Sequence, residues 1–438
     1  MTSKINVKDC ERNIYKWLED KPHLSEFFSN FLLSYTGEGS LYLVGGLIRD
    51  LALDKSSNKD VDFMIDLANE SDMTLLLKGM KKKRQIHFFQ KVGKSFPVFK
   101  IKIDGEEEAL DFALARIERS TGKGHDNFWV DADNISAESD GKRRDFTVNA
   151  LFARLYLDEE NLCIDFVDYF NGLDDLNSMT LRAVGDAKLR LEEDPLRILR
   201  AIRFCHQKGF CLSGDLEKII SDHSRSLLPE LSHDRIQEEL LKTMTANFYN
   251  GLKDYLKYDF FGICFKELSW FPTKDFDYFD SIKKVDADLV YPLLLVPYLS
   301  QLDFDSNQIS IKQIEQDLNE IHCRRQKKIK ECITGLMQLV HKDKTGYPLA
   351  IEEQVLNKDQ GKNTLFLYQH FKSYFSWNDL ELDRDKLHPT RLSGNDICKW
   401  GIRPQKGFEK LVLTLRQLQL EGESKLEVLK SVALEYKL

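Results

Sequence analysis

The chain has no C-x-x-C pair. Its eight cysteines are scattered, and the closest two, Cys205 and Cys211, stand six residues apart. That spacing argues against a zinc knuckle or a redox dithiol and predicts free thiols in a reducing cytoplasm. Long apolar runs are missing too. The longest, LVYPLLLVPYL at 289–299, holds two prolines and falls well short of the roughly 20 residues that span a bilayer. It is read as a core segment, and no membrane partner is expected. The first residues, MTSKINVKDCERNIYKW, carry early acidic side chains and no signal-like apolar block, so the sequence gives no sign of export. Internal repeats and low-complexity tracts are also lacking. So is an excess of positive charge: 63 Lys and Arg stand against 71 Asp and Glu. The net charge of −8 excludes indiscriminate coating of nucleic acid but leaves room for a local basic face. Three runs offer one: KKKR at 81–84, KRR at 142–144, and CRRQKKIK at 323–330 with Arg324, Arg325, Lys327 and Lys328. Each, taken alone, reads as a solvated helix face.

What is present is a 438-residue chain, 42% hydrophobic and 31% charged, long enough for two to four globular domains. Up to about residue 170 short β-like runs such as FPVFKIKI and EALDFALARIE alternate with glycine turns. From about 173 onward apolar residues recur three and four apart, which predicts helices. The polar segment 117–142 is expected to be a mobile loop inside this α/β head.

The stretch LYLVGGLIRDLALDKSSNKDVDFMID, 41–66, carries the most chemistry. Leu41–Val44 reads as an interior strand, and Gly45 and Gly46 let the chain turn sharply while leaving amides open. Leu47, Ile48 and Leu51 give helical spacing around Arg49, and a glycine turn opening a helix favours anions. Asp60 and Asp62 then lie two apart on a strand, so their carboxylates share a face while Val61 and Phe63 point to the core. Two such carboxylates repel unless a divalent cation sits between them. A phosphate cradle followed by a metal pair describes a site for a metal-bound nucleoside triphosphate. The competing reading is a surface turn with solvated aspartates.

Other segments carry weaker signals. Asp111 on a strand-like segment is a candidate third carboxylate, and Arg116 and Arg119 either bind phosphate or face water. In KRRDFTVNALF, 142–152, Arg144 suits phosphate, while Asp145 and Asn149, four apart on one predicted helical face, suit ribose hydroxyls. Alternatively, Asp145 is an N-cap with Arg144 as its ion-pair partner. In EEDPLRILRAIRF, 192–204, Asp194 and Arg197 open a helix on which Arg200 and Arg203 follow at three-residue spacing. In SHDRIQEELLK, 232–242, Arg235, Glu239 and Lys242 form a ladder. Its His233-Asp234 doublet lacks the further histidines and aspartates of a phosphohydrolase.

In order, VGGLIRD…DVDF, RRDFTVNAL, DYFNGLDDL, EDPLRILRAIRF and RIQEELLK resemble the class II nucleotidyltransferases, the tRNA CCA-adding enzymes and bacterial poly(A) polymerases. The resemblance covers residues 44–242 and returns at 391–422, while 246–390 carry little that matches. It implies an α+β fold: a polymerase-β-like head with a five-stranded mixed sheet (1–172), then a helical neck (173–245), body (246–345) and tRNA-binding tail (346–438). It implies Mg²⁺ on Asp60 and Asp62 with Asp111 as the auxiliary catalytic carboxylate. Gly45, Gly46, Arg49, Arg144, Asp145 and Asn149 would hold the nucleotide's phosphates and ribose. Asp194 and Arg197, with Arg200 and Arg203 beside them, would read the base, supported by Arg235 and Glu239. Asp168 to Asp175 would couple head to neck. The 117–142 stretch matches the loop that the family associates with the switch from CTP to ATP, which argues against an enzyme restricted to adding CC. A C-terminal phosphohydrolase domain is not recognisable. The implied activity is addition of CCA to tRNA from CTP and ATP in the cytoplasm. A poly(A) polymerase and an enzyme adding only the terminal A are the alternatives, with a silent RNA-binding relative disfavoured by the metal pair.

Overall fold

A computed structural model describes residues 4–55, 61–93, 98–120, 128–265, 279–299, 314, 316–319, 323, 325–340, 355, 358–371, 392–400, 402–404, 408–421 and 426–435. Asp60 and Arg324 therefore lie outside the described residues. The chain divides into two compact units, 1–243 and 244–438.

Two helices open the first unit, α1 (Val7–Glu19) and α2 (Pro22–Ser34). An Asn6–Asp9 capping box starts α1 by satisfying amides that the first turn leaves open. Next come β1 (Leu41–Val44), α3 (Gly46–Ala52), β2 (Asp62–Ile65), α4 (Glu70–Lys82), β3 (Phe88–Val92), β4 (Val98–Lys102) and β5 (Leu110–Leu114). A separate hairpin, β6 (Ile117–Ser120) and β7 (Phe128–Asp131), is followed by α5 (Ala137–Lys142), β8 (Leu151–Asp158) and β9 (Asn161–Asp168). The segment 117–142, expected as a loop, thus holds a two-stranded ladder and a short helix, since Ser136 caps α5.

The mixed sheet has seven strands, in the order β3-β4-β5-β2-β1-β8-β9, where the resemblance implied five. The β3–β4 hairpin lengthens one edge. Within this sheet only the β2–β5 pair runs parallel. All four residues of β1 are buried, as its unbroken apolar run predicts. Behind β2 and β5 an aromatic layer forms: Phe27, Phe28 and Phe31 of α2 meet Phe63 edge-on, and Phe63 stacks on Phe112 with centroids 4.8 Å apart. Burying each of these rings contributes about 1.5–3 kcal/mol. This layer fixes the strand register, because a one-residue slip would drive an aspartate into it.

Helices dominate after β9: α6 (Gly172–Asn177), α7 (Ala187–Glu193), α8 (Leu196–Lys208), α9 (Gly214–Leu227) and α10 (His233–Ala246). Gly172 is obligatory, since a Cβ there would lie 2.3 Å from the Thr147 carbonyl oxygen. In the second unit the apolar run at 289–299 lies in a helix, Ala287–Leu299, with Leu289–Val296 buried, as a core segment requires. Among the described residues no helix is long and apolar enough to cross a membrane.

Candidate active site

Register brings the carboxylates together. Asp62 of β2 stands opposite Asp111 of β5, while Phe63 opposite Phe112 faces the aromatic layer. The aspartates therefore share the other face of the sheet. One strand further out, Lys100 of β4 is paired in register with Asp111, and its Nζ lies 2.5 Å from Asp111 Oδ1. That oxygen is buried and has no hydrogen bond of acceptable geometry, so the two groups meet as charges and not along a well-aligned N–H direction. Among the described residues no three carboxylate, imidazole or thiol side chains form a complete metal cage. Asp62 and Asp111 nonetheless fit a hard divalent cation: two acidic oxygen donors on one sheet face, cross-strand neighbours through backbone register.

Between β1 and α3 the chain turns at Gly45, whose φ of 79° and ψ of −150° lie in a region essentially restricted to glycine. A Cβ there would also stand 3.4 Å from Asp62 Oδ2. Gly45 is thus the link between the carboxylate face and a cavity of about 540 Å³ that it lines together with Gly46. Eight Arg and Lys side chains line the same cavity, against the two carboxylates Asp145 and Asp194.

A buried polar chain holds its floor. Arg49, 2% exposed, donates to Asp50 (2.8 and 2.9 Å) and to Asn149 Oδ1 (2.5 Å). Asn149 Nδ2 donates to Asp145 Oδ1 at 2.9 Å, and Arg200 of α8 donates twice to Asp145 Oδ2, at 3.0 and 2.5 Å. Burial pushes the Asp145 carboxyl up, but Arg200 and Asn149 outweigh it and hold it below the usual carboxylate range. Lys208, at the end of α8, closes the chain on Asp50 at 3.1 Å.

The partner of Asp145 is therefore Arg200 and not Arg144. Arg144 pairs with Asp140, donates to the Asn149 carbonyl at 3.0 Å, and lies over the Phe152 ring. The predicted helical face through Asp145 and Asn149 is absent as well. A single 3-10 turn, Thr147–Asn149, stands there, because Asp145 Oδ1 accepts from the next amide, Phe146 N, at 2.8 Å.

Asp194 does not sit on α8 as the spacing suggested. It ends α7 in extended backbone, with α8 beginning at Leu196. Both its oxygens accept from Arg235 Nη2 at 3.2 Å. Arg197 Nη1 donates to the Arg190 carbonyl (2.8 Å) and Nη2 to the Arg143 carbonyl (2.7 Å). Arg203 Nε lies 2.7 Å from Glu239 Oε2, while its guanidinium lies over Phe204. Arg235 and Glu239, both on α10, thus reach α8 and the link before it. Asp168 accepts from the Phe170, Gly172 and Leu173 amides, and Asp175 accepts from Thr147 Oγ1–H at 2.7 Å, which ties α6 to the turn beside the cavity.

Two features escaped the sequence. Asp140, fully buried, receives both Arg143 and Arg144. Lys208 and Gln207 line the cavity although they stand at the tail of a helix read mainly through its arginines. The acidic residue three and four places before the arginine pair was the available signal for Asp140. In the second unit Arg325 and Lys328 both pair with Asp288, the latter at 2.7 Å, whereas Lys327 is exposed.

Residues 41–182 match the family model of the poly A polymerase head domain. The Multifunctional CCA protein of Pseudoalteromonas atlantica (strain T6c) is 38% identical over 209 residues, 47% of this chain and 45% of that relative. The chain spans about half the length of the curated relatives it matches. Among solved structures, an apo form of a CCA-adding enzyme superposes with a TM-score of 0.69 at 20% identity, covering 98% of this chain and 97% of that one. The Thermotoga maritima CCA-adding enzyme complexed with tRNA superposes at 0.63, also at 20% identity, covering 94% and 95%. These likenesses establish the fold along nearly the whole chain.

Proposed function

We propose that the chain, whose residues 41–182 match the family model of the poly A polymerase head domain, adds C, C and A to the 3′ end of tRNA without a nucleic-acid template, using CTP and ATP, in the cytoplasm. The observation that carries the reading is the junction at Gly45, where a sheet face bearing Asp62 and Asp111 opens into a cavity lined by eight cationic side chains. A nucleoside triphosphate needs that pairing: cations for its phosphates and carboxylates for its metal.

In the reaction the tRNA 3′-hydroxyl oxygen bonds to the α-phosphorus, the bond from that phosphorus to the oxygen bridging to the β-phosphorus breaks, pyrophosphate leaves, and the hydroxyl proton passes to solvent. Asp62 and Asp111, with Asp60, would hold Mg²⁺. When bound, Mg²⁺ would stabilise the negative charge that develops on the attacking and leaving oxygens. Gly45 and Gly46 let the triphosphate approach backbone, and Arg144 supplies a fixed charge beside it. Asp145 and Asn149, held by Arg200 and Arg49, present acceptors and donors of set direction to the ribose. Asp194 and Arg197 lie on the same cavity wall for the base edge.

The test uses tRNAs ending before CCA, after C and after CC, each supplied with CTP and ATP. Extension of all three that stops at CCA is expected. Long A tails would instead make the chain a poly(A) polymerase, and extension of the CC-ended tRNA alone would make it an A-adding enzyme.

A further inference from the structure

We infer that Lys100 is a positioning residue that competes with the divalent cation for Asp111 and so sets the cation concentration at which the site loads. This rests on the reading of Asp62 and Asp111 as the carboxylates that receive the metal. Three strands deliver the arrangement: Lys100 of β4 opposite Asp111 of β5, opposite Asp62 of β2. Both pairings belong to the continuous sheet, so the lysine is placed there by register and not by a chance surface rotamer. Its Nζ lies 2.5 Å from Asp111 Oδ1, an oxygen buried from solvent, while the lysine stem reaches out to 42% exposure.

The chemistry follows from that oxygen. Without a metal, two like-charged carboxylates on one face repel, and an ammonium against one of them relieves the repulsion. A divalent cation offers the same relief with twice the charge, so it and Lys100 exclude one another from Asp111. The long flexible stem of lysine lets the ammonium withdraw to water once displaced. An arginine would hold on through its planar fork, and a methionine would leave the carboxylate free for the metal.

Mn²⁺ alone, titrated into the full chain and followed by loss of the free Mn²⁺ paramagnetic resonance signal, tests this apart from turnover. Lys100→Met should bind Mn²⁺ about two- to fivefold more tightly than the unaltered chain, the size of a half-exposed ion pair given up. Lys100→Arg should bind no more tightly than the unaltered chain. In an Asp111→Asn background the gain from Lys100→Met should largely vanish. An unchanged affinity in Lys100→Met overturns the inference while leaving the metal reading in place. So does a gain that persists undiminished beside Asp111→Asn, because the lysine then acts only through its field. If Asp62→Ala leaves Mn²⁺ binding of the otherwise unaltered chain unchanged, both the metal reading and the inference fall.

Discussion

Asp194 and Arg197 illustrate how much a residue's role depends on what already holds it. Cytosine and adenine each present an amino donor beside a ring-nitrogen acceptor, whereas uracil and guanine present a carbonyl beside an N–H. A carboxylate and a guanidinium complement the first pair and oppose the second, at about 1–3 kcal/mol for each buried group left unpaired. Asp194→Ala should therefore relax discrimination against UTP and GTP, read as kcat/KM for all four nucleotides. Arg197 also clamps the Arg143 and Arg190 carbonyls. Arg197→Lys should lower use of CTP and ATP and also the melting temperature, since the ammonium lacks the fork that spans both carbonyls. Full activity with an unchanged melt would remove Arg197 from both roles. Asp140 gives a pH prediction. Burial raises its carboxyl, but Arg143 and Arg144 prevail and hold it below the usual carboxylate range. Its contribution to stability is thus complete above the unfolded value and is lost as pH falls through the folded one. Asp140→Asn should be less stable at pH 7 and lose less stability than the unaltered chain between about pH 5 and 2, measured by urea midpoints across that range. The glycine turn at Gly45 and the strand carrying Asp62 were legible because each is local. Lys100, Lys208 and the choice of Arg200 over Arg144 were not, because register and helix docking decide those partners.

At the scale of elements, the aromatic layer holds β2 and β5 in the alignment that makes Asp62 and Asp111 neighbours. Phe112→Ala should cost about 3–5 kcal/mol, from lost burial and the cavity left behind. Urea unfolding would measure it, with incorporation checked at a denaturant-free temperature where the variant remains folded. Loss of metal-dependent turnover beyond the unfolded fraction is expected, since the ring fixes register as well as stability. The β-like character of FPVFKIKI and EALDFALARIE was readable from composition. Their order in the sheet was not, because the parallel β2–β5 pairing needs a crossover through α4 and the β3–β4 hairpin that no local pattern encodes. The predicted helix at 145–149 failed for the opposite reason: a local side-chain bond to Phe146 N and the Arg200 pair outcompeted helical spacing.

For the whole molecule, we assign residues 1–172 to the head and 173–245 to the neck, with 246–345 as body and 346–438 as the tRNA-binding tail. The basic run at 323–330 lies inside the assigned body and gives the proposed tRNA binding a separate test. Arg325 and Lys328 are engaged with Asp288, and on the proposed function tRNA phosphate would meet the exposed Lys327 and Lys330. Replacing those two lysines with Gln should flatten the log–log salt dependence of tRNA binding by about one to two and leave CTP binding unchanged. An unaltered slope would return the run to a solvated helix face. Arg325→Gln should act on stability instead. The helical character of this half was legible in its periodicity, but the Asp288 pairing joins positions 37 and 40 residues apart and leaves no local trace.

The position of β2 and β5 inside the seven-stranded sheet also governs when activity can be lost. The outer strand β3 is largely exposed and can fray alone, so its amides should exchange with deuterium at low protection. The strands β2 and β5 are flanked by paired strands on both sides, so their ladder-bonded amides should exchange only through openings close in free energy to global unfolding of the first unit. Inactivation by heat should therefore track the slowest-exchanging amides and not the fast edge, giving a catalyst that is either whole or silent. A residual-activity curve that instead followed exchange at β3 would place the failure of the carboxylate pair at the rim of the sheet.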